Sequence, residues 1–401
     1  MSSEFRFEII KKRGLIRAGV IHTPHGDIKT PTFAAVGTHA EVKYLTPEQV
    51  KSTGAQVMLS NAYHLSRRAK KIDQAGGLAA YSGWHGPTMT DSGGFQVMSL
   101  GSGVGKVVSM DKKDIAKKHA TASVKDRLAI VTDDGVTISN PFDAQVEVWT
   151  PEYSMQIQHA IGADIMMAFD ELTSIGDSYK YNCEALRRTH AWAQRCLVEH
   201  ARLSQKRPLK PYQALYGVLQ GAHYKSLRQK TAKFLGEMDF DGYGLGGAFE
   251  KSQLGEILQW CNSILPENKP RHLLGLSKPD DIFVGVANGC DTFDCVAPTR
   301  EARHGRIYTP TGDISIHNAR FADDNSILDE FCDCPICQSG MTKSRLRQLF
   351  KSDDKEMAFT AASIHNLRFI ERLFEQIRQS ILDGTFEQLR DEFLKKYYGI
   401  I

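Results

Sequence analysis

Tyr216-Gly217-Val218-Leu219-Gln220-Gly221 and Gly242-Tyr243-Gly244-Leu245-Gly246-Gly247 flank a stretch, Leu227–Glu237, whose apolar residues fall at helical spacing. Each flanking run is short, almost wholly apolar and closed by glycine. A strand buried on both faces reads this way. A helix bridging two such strands makes them parallel neighbours. The same rhythm continues on either side. Thr32–Gly37, Gln56–Asn61, Met89–Gly93, Asp164–Asp170, His272–Gly275 and Thr292–Val296 complete a set of eight candidate strands. Helical patterns lie between many of them, at Pro151–Ile161, Asn182–Ser204, Ser252–Ile264 and Pro279–Asn288. The first has Thr150 as an N-cap and Pro151 at its first position. Eight strands alternating with helices predict an α/β protein, a (β/α)8 TIM barrel. A doubly wound open sheet is the alternative, weakened because no Gly-x-Gly-x-x-Gly follows an early strand.

Two segments break the rhythm. Gly101–Trp149 is too long for a structureless loop. Within it Leu128–Thr132, Val136–Ser139 and Gln145–Trp149 read as short antiparallel strands, an insertion at about 101–149. The second segment, Gly305 to Asn366, holds a cysteine cluster, and helices at Ser363–Leu382 and Phe386–Tyr398 accompany and follow it. The expected organisation is a barrel core over residues 1–304, then a metal-binding subdomain and C-terminal helices over 305–401.

The 401 residues are 41% hydrophobic and 24% charged, ordinary for a globular protein. No run of about 18 apolar residues occurs, so no membrane span is expected. The N-terminal MSSEFRFEIIKKRG has no apolar signal region. A net charge of +3 is too mild to settle nucleic-acid binding by itself. Its clustering says more: lysines crowd Lys106–Lys125, arginines recur at Arg300, Arg303, Arg306 and Arg320, and Lys343, Arg345, Arg347 and Lys351 form a third basic run. Any one of these runs also suits a solvated face. Five of the eight cysteines are scattered without a repeated spacing, which points to a reducing compartment and a cytoplasmic protein rather than a disulfide framework.

In a barrel of this kind, chemistry sits at the C-terminal ends of the strands. Those ends carry Asp91-Ser92-Gly93-Gly94, Asp170-Glu171, Gln220-Gly221, Gly246-Gly247 and Asp294. Singly, each aspartate reads as a cap or turn residue. Their shared position brings several carboxylates and an amide to one face. The remaining three cysteines, Cys332-x-Cys334-x2-Cys337, are spaced as zinc ligands. His365 is the next histidine along the chain, while His304 and His317 lie upstream as alternatives. Three thiolates and an imidazole close the coordination sphere, so one such zinc is structural.

Thr90-Asp91-Ser92-Gly93-Gly94-Phe95-Gln96, Gly275-Leu276-Ser277-Lys278-Pro279-Asp280-Asp281 and Phe293-Asp294-Cys295-Val296-Ala297-Pro298-Thr299-Arg300 resemble the tRNA-guanine transglycosylases. Asn61-Ala62-Tyr63-His64-Leu65, Gln220-Gly221, Gly246-Gly247 and the cysteine cluster fit the same family, nearly end to end and in order. The resemblance implies a (β/α)8 barrel with an inserted antiparallel sheet and a zinc-bearing subdomain. It implies exchange of guanine at the anticodon wobble position of tRNAs with G-U-N anticodons for a 7-deazaguanine, queuine or preQ1. By resemblance Asp294 is the nucleophile and Asp91 the general base, as suits an oxocarbenium-like transition state at a ribose carbon. Asp170, Gln220 and the Gly247 N–H would read the base edge, with Ser92, Gly93 and Gly94 approaching closely and Phe95 and Leu274 sandwiching the ring. Gly275, Leu276, Ser277, Lys278, Pro279, Asp280 and Asp281, with Thr299, Arg300, Glu301, Ala302 and Arg303, would contact the RNA. His365 becomes the fourth zinc ligand. A homodimer is implied, as is no redox or nucleotide cofactor.

The sequence departs from the typical bacterial pattern in places. Gly246-Gly247-Ala248-Phe249-Glu250-Lys251 differs from the expected Gly-Gly-Leu-Ala-Val-Gly-Glu, and Leu172 stands where cysteine is common. The Cys337-to-His365 gap is slightly long, and Lys106–Arg127 is expanded. Both carboxylates survive. The incoming base stays open between queuine and preQ1, with queuine favoured. The closing helices differ from the extra C-terminal RNA-binding domains of archaeal relatives. Three other readings compete: a non-catalytic partner subunit, disfavoured by the intact Asp91 and Asp294; a transglycosylase acting on DNA; and a zinc hydrolase, disfavoured by the thiolate-rich ligand set.

Overall fold

In the computed structural model, residues 5–96, 129–139 and 146–399 are described. Three antiparallel strands come first: β1 (Arg6–Arg13), β2 (Ile16–Thr23) and β3 (Gly26–Thr30). Eight parallel strands then close into a ring: β4 (Thr32–Val36), β5 (Val57–Ser60), β6 (Thr88–Thr90), β10 (Ile165–Met167), β11 (Ala214–Leu219), β12 (Gly242–Leu245), β13 (Arg271–Leu273) and β14 (Thr292–Asp294). Their register is parallel throughout, and the ring closes where Phe293 of β14 pairs with Phe33 of β4. The predicted barrel is therefore present, each strand falling within or beside the predicted run. Between β6 and β10 sit β7 (Ala129–Val131), β8 (Val136–Ser139) and β9 (Val146–Trp149), an antiparallel sheet where the insertion was expected. The Lys106–Lys125 cluster, the expanded Lys106–Arg127 stretch and the start of the insertion lie outside the described residues.

The barrel holds because its strands bury both faces; every residue of β11 is buried. Ala34, Val57, Met89, Ile165, Ala214 and Tyr216 fill the interior, and Ile21 and Ile28 from β2 and β3 pack into the same cluster. The N-terminal sheet thus belongs to the barrel's core, a layer that the sequence reading missed. Its attachment includes Arg17, whose Nε donates to Asp291 Oδ1 at 2.9 Å while both side chains are buried. A buried charge persists when paired in this way.

After β14 come a short helix, Ala297–Arg303, and a hairpin of β15 (Arg306–Thr309) and β16 (Gly312–Ser315). Helices follow at Pro335–Gln338, Lys343–Lys351, Glu356–Asp383 and Phe386–Tyr398. The 28-residue helix starts seven residues before the predicted Ser363. Its Phe374 ring packs on Phe33 at 6.3 Å and on Phe293 at 5.1 Å. These two rings belong to the first and last strands of the ring.

Candidate active site

Asp91 follows β6 directly. Its Oδ1 accepts from the Ala62 N–H at 2.9 Å and the Gly93 N–H at 3.2 Å, and its Oδ2 accepts from Asn61 Nδ2. Asn61 also caps the helix Ala62–Leu65, accepting from the His64 N–H at 3.0 Å. One turn of helix therefore delivers both the amide and the peptide N–H that hold Asp91. Burial pushes the Asp91 carboxyl up to about 7, against these donors, and the nearby charge of Asp294 adds to the rise. The carboxyl thus titrates near neutrality, which suits a group that must both take and give a proton. Gly93, at φ +78°, lies so close to Trp149 that a Cβ would come 2.9 Å from its Cζ3.

Asp294 ends β14. Its Oδ1 is shared by His272 Nε2 and the Gly275 N–H, each at 3.1 Å. His272 is fully buried, and its Nδ1 meets Thr292 Oγ1 at 2.9 Å. With Nε2 donating to the carboxylate, Nδ1 accepts the threonine hydroxyl proton.

Asp170 lies beyond β10 and is held by Ser92 Oγ on Oδ1 at 3.3 Å and Gln220 Nε2 on Oδ2 at 2.7 Å. Burial raises its carboxyl to about 6. Gly247 has φ +108°, and a Cβ there would come 2.5 Å from Arg228 Nη2 and 3.0 Å from Gln220 Oε1. Only glycine suits that backbone and that space. A Cβ on Gly246 would stand 3.2 Å from both Gln220 Nε2 and Leu274 Cδ1, and one on Gly94 3.0 Å from Asp170 O. Leu274 and Phe95 are half-buried. Asp91, Ser92, Asp170, Gln220, Gly247 and Asp294 thus gather at one end of the barrel. Asn61, His272 and Arg228 were missed as supports. Asn61 lay inside a quoted motif, whereas a histidine in an apolar strand and an arginine in an amphipathic helix carried no local signal.

The two stretches read as RNA contacts flank this mouth. In the first, Gly275 is exposed, Lys278 and Asp280 are half-buried, and Leu276, Ser277, Pro279 and Asp281 are buried. Lys278 pairs with Asp313 at 2.9 Å. In the second, Arg300 is exposed, Glu301 and Arg303 are half-buried, and Thr299 and Ala302 turn inward.

Away from the mouth, the ligand atoms of Cys332, Cys334, Cys337 and His365 all lie within 4.8 Å of one another, and all four residues are buried. His365 Nδ1 faces the thiols, 3.3 Å from Cys337 Sγ, while Nε2 meets Tyr308 O at 2.8 Å. An Nε2–H bonded to a carbonyl leaves Nδ1 as a free donor to a metal, the usual outer-shell arrangement of a ligating histidine. The group could bind a metal ion, and His304 and His317 are not part of it.

The family model for queuine tRNA-ribosyltransferase matches residues 12–399. The chain belongs to that family. The family is one of pentosyltransferases, and this chain is an enzyme of that kind. Among curated members, a queuine tRNA-ribosyltransferase of Desulforamulus reducens is 39% identical over 99% of both chains. One from Roseiflexus sp. is 39% identical over 98% of this chain and 100% of its own. A putative queuine tRNA-ribosyltransferase of Archaeoglobus fulgidus is 39% identical over 97% of this chain and 99% of its own. Among the described residues, no helix is long and apolar enough to cross a membrane.

Proposed function

We propose that this family member removes guanine from the wobble position of tRNAs with G-U-N anticodons and installs a 7-deazaguanine. The observation that carries the reading is the pair of carboxylates: Asp294 held on one oxygen only among the described residues, and Asp91 close enough to feel its charge. Asp294 attacks the ribose C1′ as the glycosidic bond breaks, giving a covalent ribosyl-enzyme. Asp91 gives a proton to the departing purine and then takes one from the incoming base. Asp170 accepts from the N1–H and exocyclic amine, and Gln220 with the Gly247 N–H addresses the carbonyl oxygen. Phe95 and Leu274 bracket the ring.

The target base sits in a single-stranded loop and can be splayed into the mouth. Lys278, Arg300 and Arg303 are the side chains of the flanking stretches that offer positive charge to it. The metal is one zinc, held by Cys332, Cys334, Cys337 and His365 in a structural role. It closes the coordination sphere and supplies no open position for substrate. Queuine is favoured over preQ1, because the departures at Ala248–Lys251 and Leu172 surround the side of the pocket that meets the 7-substituent. The proposed setting is a cytoplasmic homodimer, with residues 305–401 as a subdomain on a barrel core of 1–304.

Labelled guanine and unmodified tRNA with a G-U-N anticodon test the reading. Label should enter wild-type protein's tRNA and not tRNA with a replaced wobble guanine. Incorporation into DNA alone would move the substrate, and none at all in folded, metal-loaded protein would make this a non-catalytic subunit.

A further inference from the structure

Among the described residues, Arg228 is a buried guanidinium without a counter-ion. It is 1% exposed, and no carboxylate is among the charged groups acting on it. It lies in the first turn of the helix Lys225–Gly236, where the helix dipole disfavours a cation. Its hydrogen bonds go to carbonyls: Nε to Ala222 O at 2.7 Å, and Nη1 to Leu219 O at 3.2 Å and Gly246 O at 2.7 Å. Among the described residues, Nη2 has no hydrogen-bond partner, and neither has Gln220 Oε1. Both open atoms border Gly247, where a Cβ would strike them. A buried cation that meets carbonyls and the Phe249 ring, 5.5 Å away, but no carboxylate is penalised, and an uncharged side chain of similar shape would fill the space without that cost.

The Gly246 carbonyl belongs to the same peptide unit as the Gly247 N–H. In a planar trans peptide the two point in opposite directions. Anchoring Gly246 O on Arg228 therefore turns the Gly247 N–H away from the cation. That N–H makes no hydrogen bond among the described residues. A cation bonded to the carbonyl also polarises the peptide and strengthens its N–H as a donor.

We propose that Arg228 is a positioning residue for the departing base, acting through the Gly246–Gly247 peptide to present a polarised N–H to the purine's carbonyl oxygen. The inference rests on the base-exchange reading above. As the C1′–N9 bond breaks, its electron pair goes to the purine and Asp294 bonds to C1′. Negative charge spreads to the carbonyl oxygen until Asp91 supplies a proton. A preorganised donor aimed at that oxygen strengthens as the charge develops.

The test compares binding of guanine and of 2-aminopurine, which lacks the carbonyl oxygen and with it the N1–H, to wild type, Arg228→Met and Arg228→Lys. The difference between variants, in which the N1–H contribution cancels, reads the carbonyl contact. Wild type should prefer guanine. Arg228→Met should lose roughly tenfold or more in guanine affinity and in single-turnover guanine release, and keep its 2-aminopurine affinity. Arg228→Lys, which keeps the charge, should recover part of the loss. Equal losses for both bases, or none for guanine, would overturn the assignment. A wild type that shows no preference would instead sink the reading of the pocket, and this inference with it. Should both variants fail to fold, the structure of wild type with guanine decides. The base carbonyl must lie on Gly247 N while Gly246 O stays on Arg228; a peptide turned the other way refutes the role.

Discussion

Asp294 Oδ1 takes a hydrogen bond from His272 Nε2 and another from the Gly275 N–H, both at 3.1 Å. Two donors on one oxygen fix the carboxylate plane and, among the described residues, leave the other oxygen without a donor, as the proposed attack needs. Gly275 opens the stretch read as RNA-contacting, so the proposed nucleophile is oriented by the segment proposed to meet the polymer.

Replacing the proposed nucleophile should abolish exchange. Asp294→Asn is expected to lower labelled-guanine incorporation by roughly a thousandfold or more. His272→Ala should cost roughly ten- to a hundredfold in kcat with little change in KM, because the attacking oxygen loses its orientation. His272→Gln, which still donates, should recover part. Full activity in His272→Ala would remove this histidine from the mechanism.

The exchange should respond to pH through Asp91. Its carboxyl is raised to about 7, first by burial, so it is neutral below that pH and charged above. Only the charged form takes a proton from the incoming base. Single-turnover attack on the ribosyl-enzyme, where the Asp294 ester no longer carries the charge that helps raise Asp91, should therefore climb with pH and level below about 7. In Asp294→Asn the charge that helps raise Asp91 is gone, so its carboxylate signal in infrared titration should move to lower pH. An unmoved titration would show that the two carboxylates are not coupled.

Base affinity should have its own pH limb. Asp170 is raised to about 6 by burial, and its protonated form cannot accept from two N–H groups. Guanine inhibition should weaken as pH falls through about 6. Asp170→Asn should weaken it roughly tenfold to a hundredfold at neutral pH and flatten that limb. Retention of the limb in the variant would assign it elsewhere.

Metal removal should act on stability before chemistry. One zinc per chain is expected by elemental analysis. Chelation or Cys334→Ala should lower the melting temperature, because a closed metal site contributes folding energy to the segment that holds it. Cadmium exchanged into the same four ligands should preserve exchange within roughly a factor of two or three, since no substrate step uses the metal. Loss of activity in folded cadmium protein would argue for a catalytic ion.

Glu371 offers a stability test remote from the mouth. It is 1% exposed, and among the described residues neither carboxylate oxygen has a hydrogen-bond partner. Burial raises its carboxyl to about 8. Between the ordinary glutamate range and pH 8 the folded chain holds a proton that the unfolded chain has lost, so stability drains away as pH rises across that interval. Glu371→Gln should remove the drain and raise the melting temperature at pH 8 by roughly 2–4 °C. No gain there would mean that the neutral acid is no burden.

The barrel was readable because parallel strands buried on both faces leave near-continuous apolar runs, as Ala214–Leu219 does. The N-terminal sheet was not, because Arg6–Arg13 is mostly exposed and carries four cations. Asp91, Asp170 and Asp294 were legible from their place at strand ends. His272 and Arg228 were not. Each matters for what it touches across the fold, and a residue's neighbours in the chain do not record that.

Phe374 lies against Phe33 of the ring's first strand and Phe293 of its last. Asp294 is the next residue after Phe293 and pairs with Ala34 across that seam. The clasp over the seam is therefore synthesised after all eight strands that it fastens. A nascent chain halted before residue 374 has all eight staves but no hoop around the joint beside Asp294. Order of synthesis thus places the fastening of that joint after every strand of the ring and after the cysteine segment has emerged.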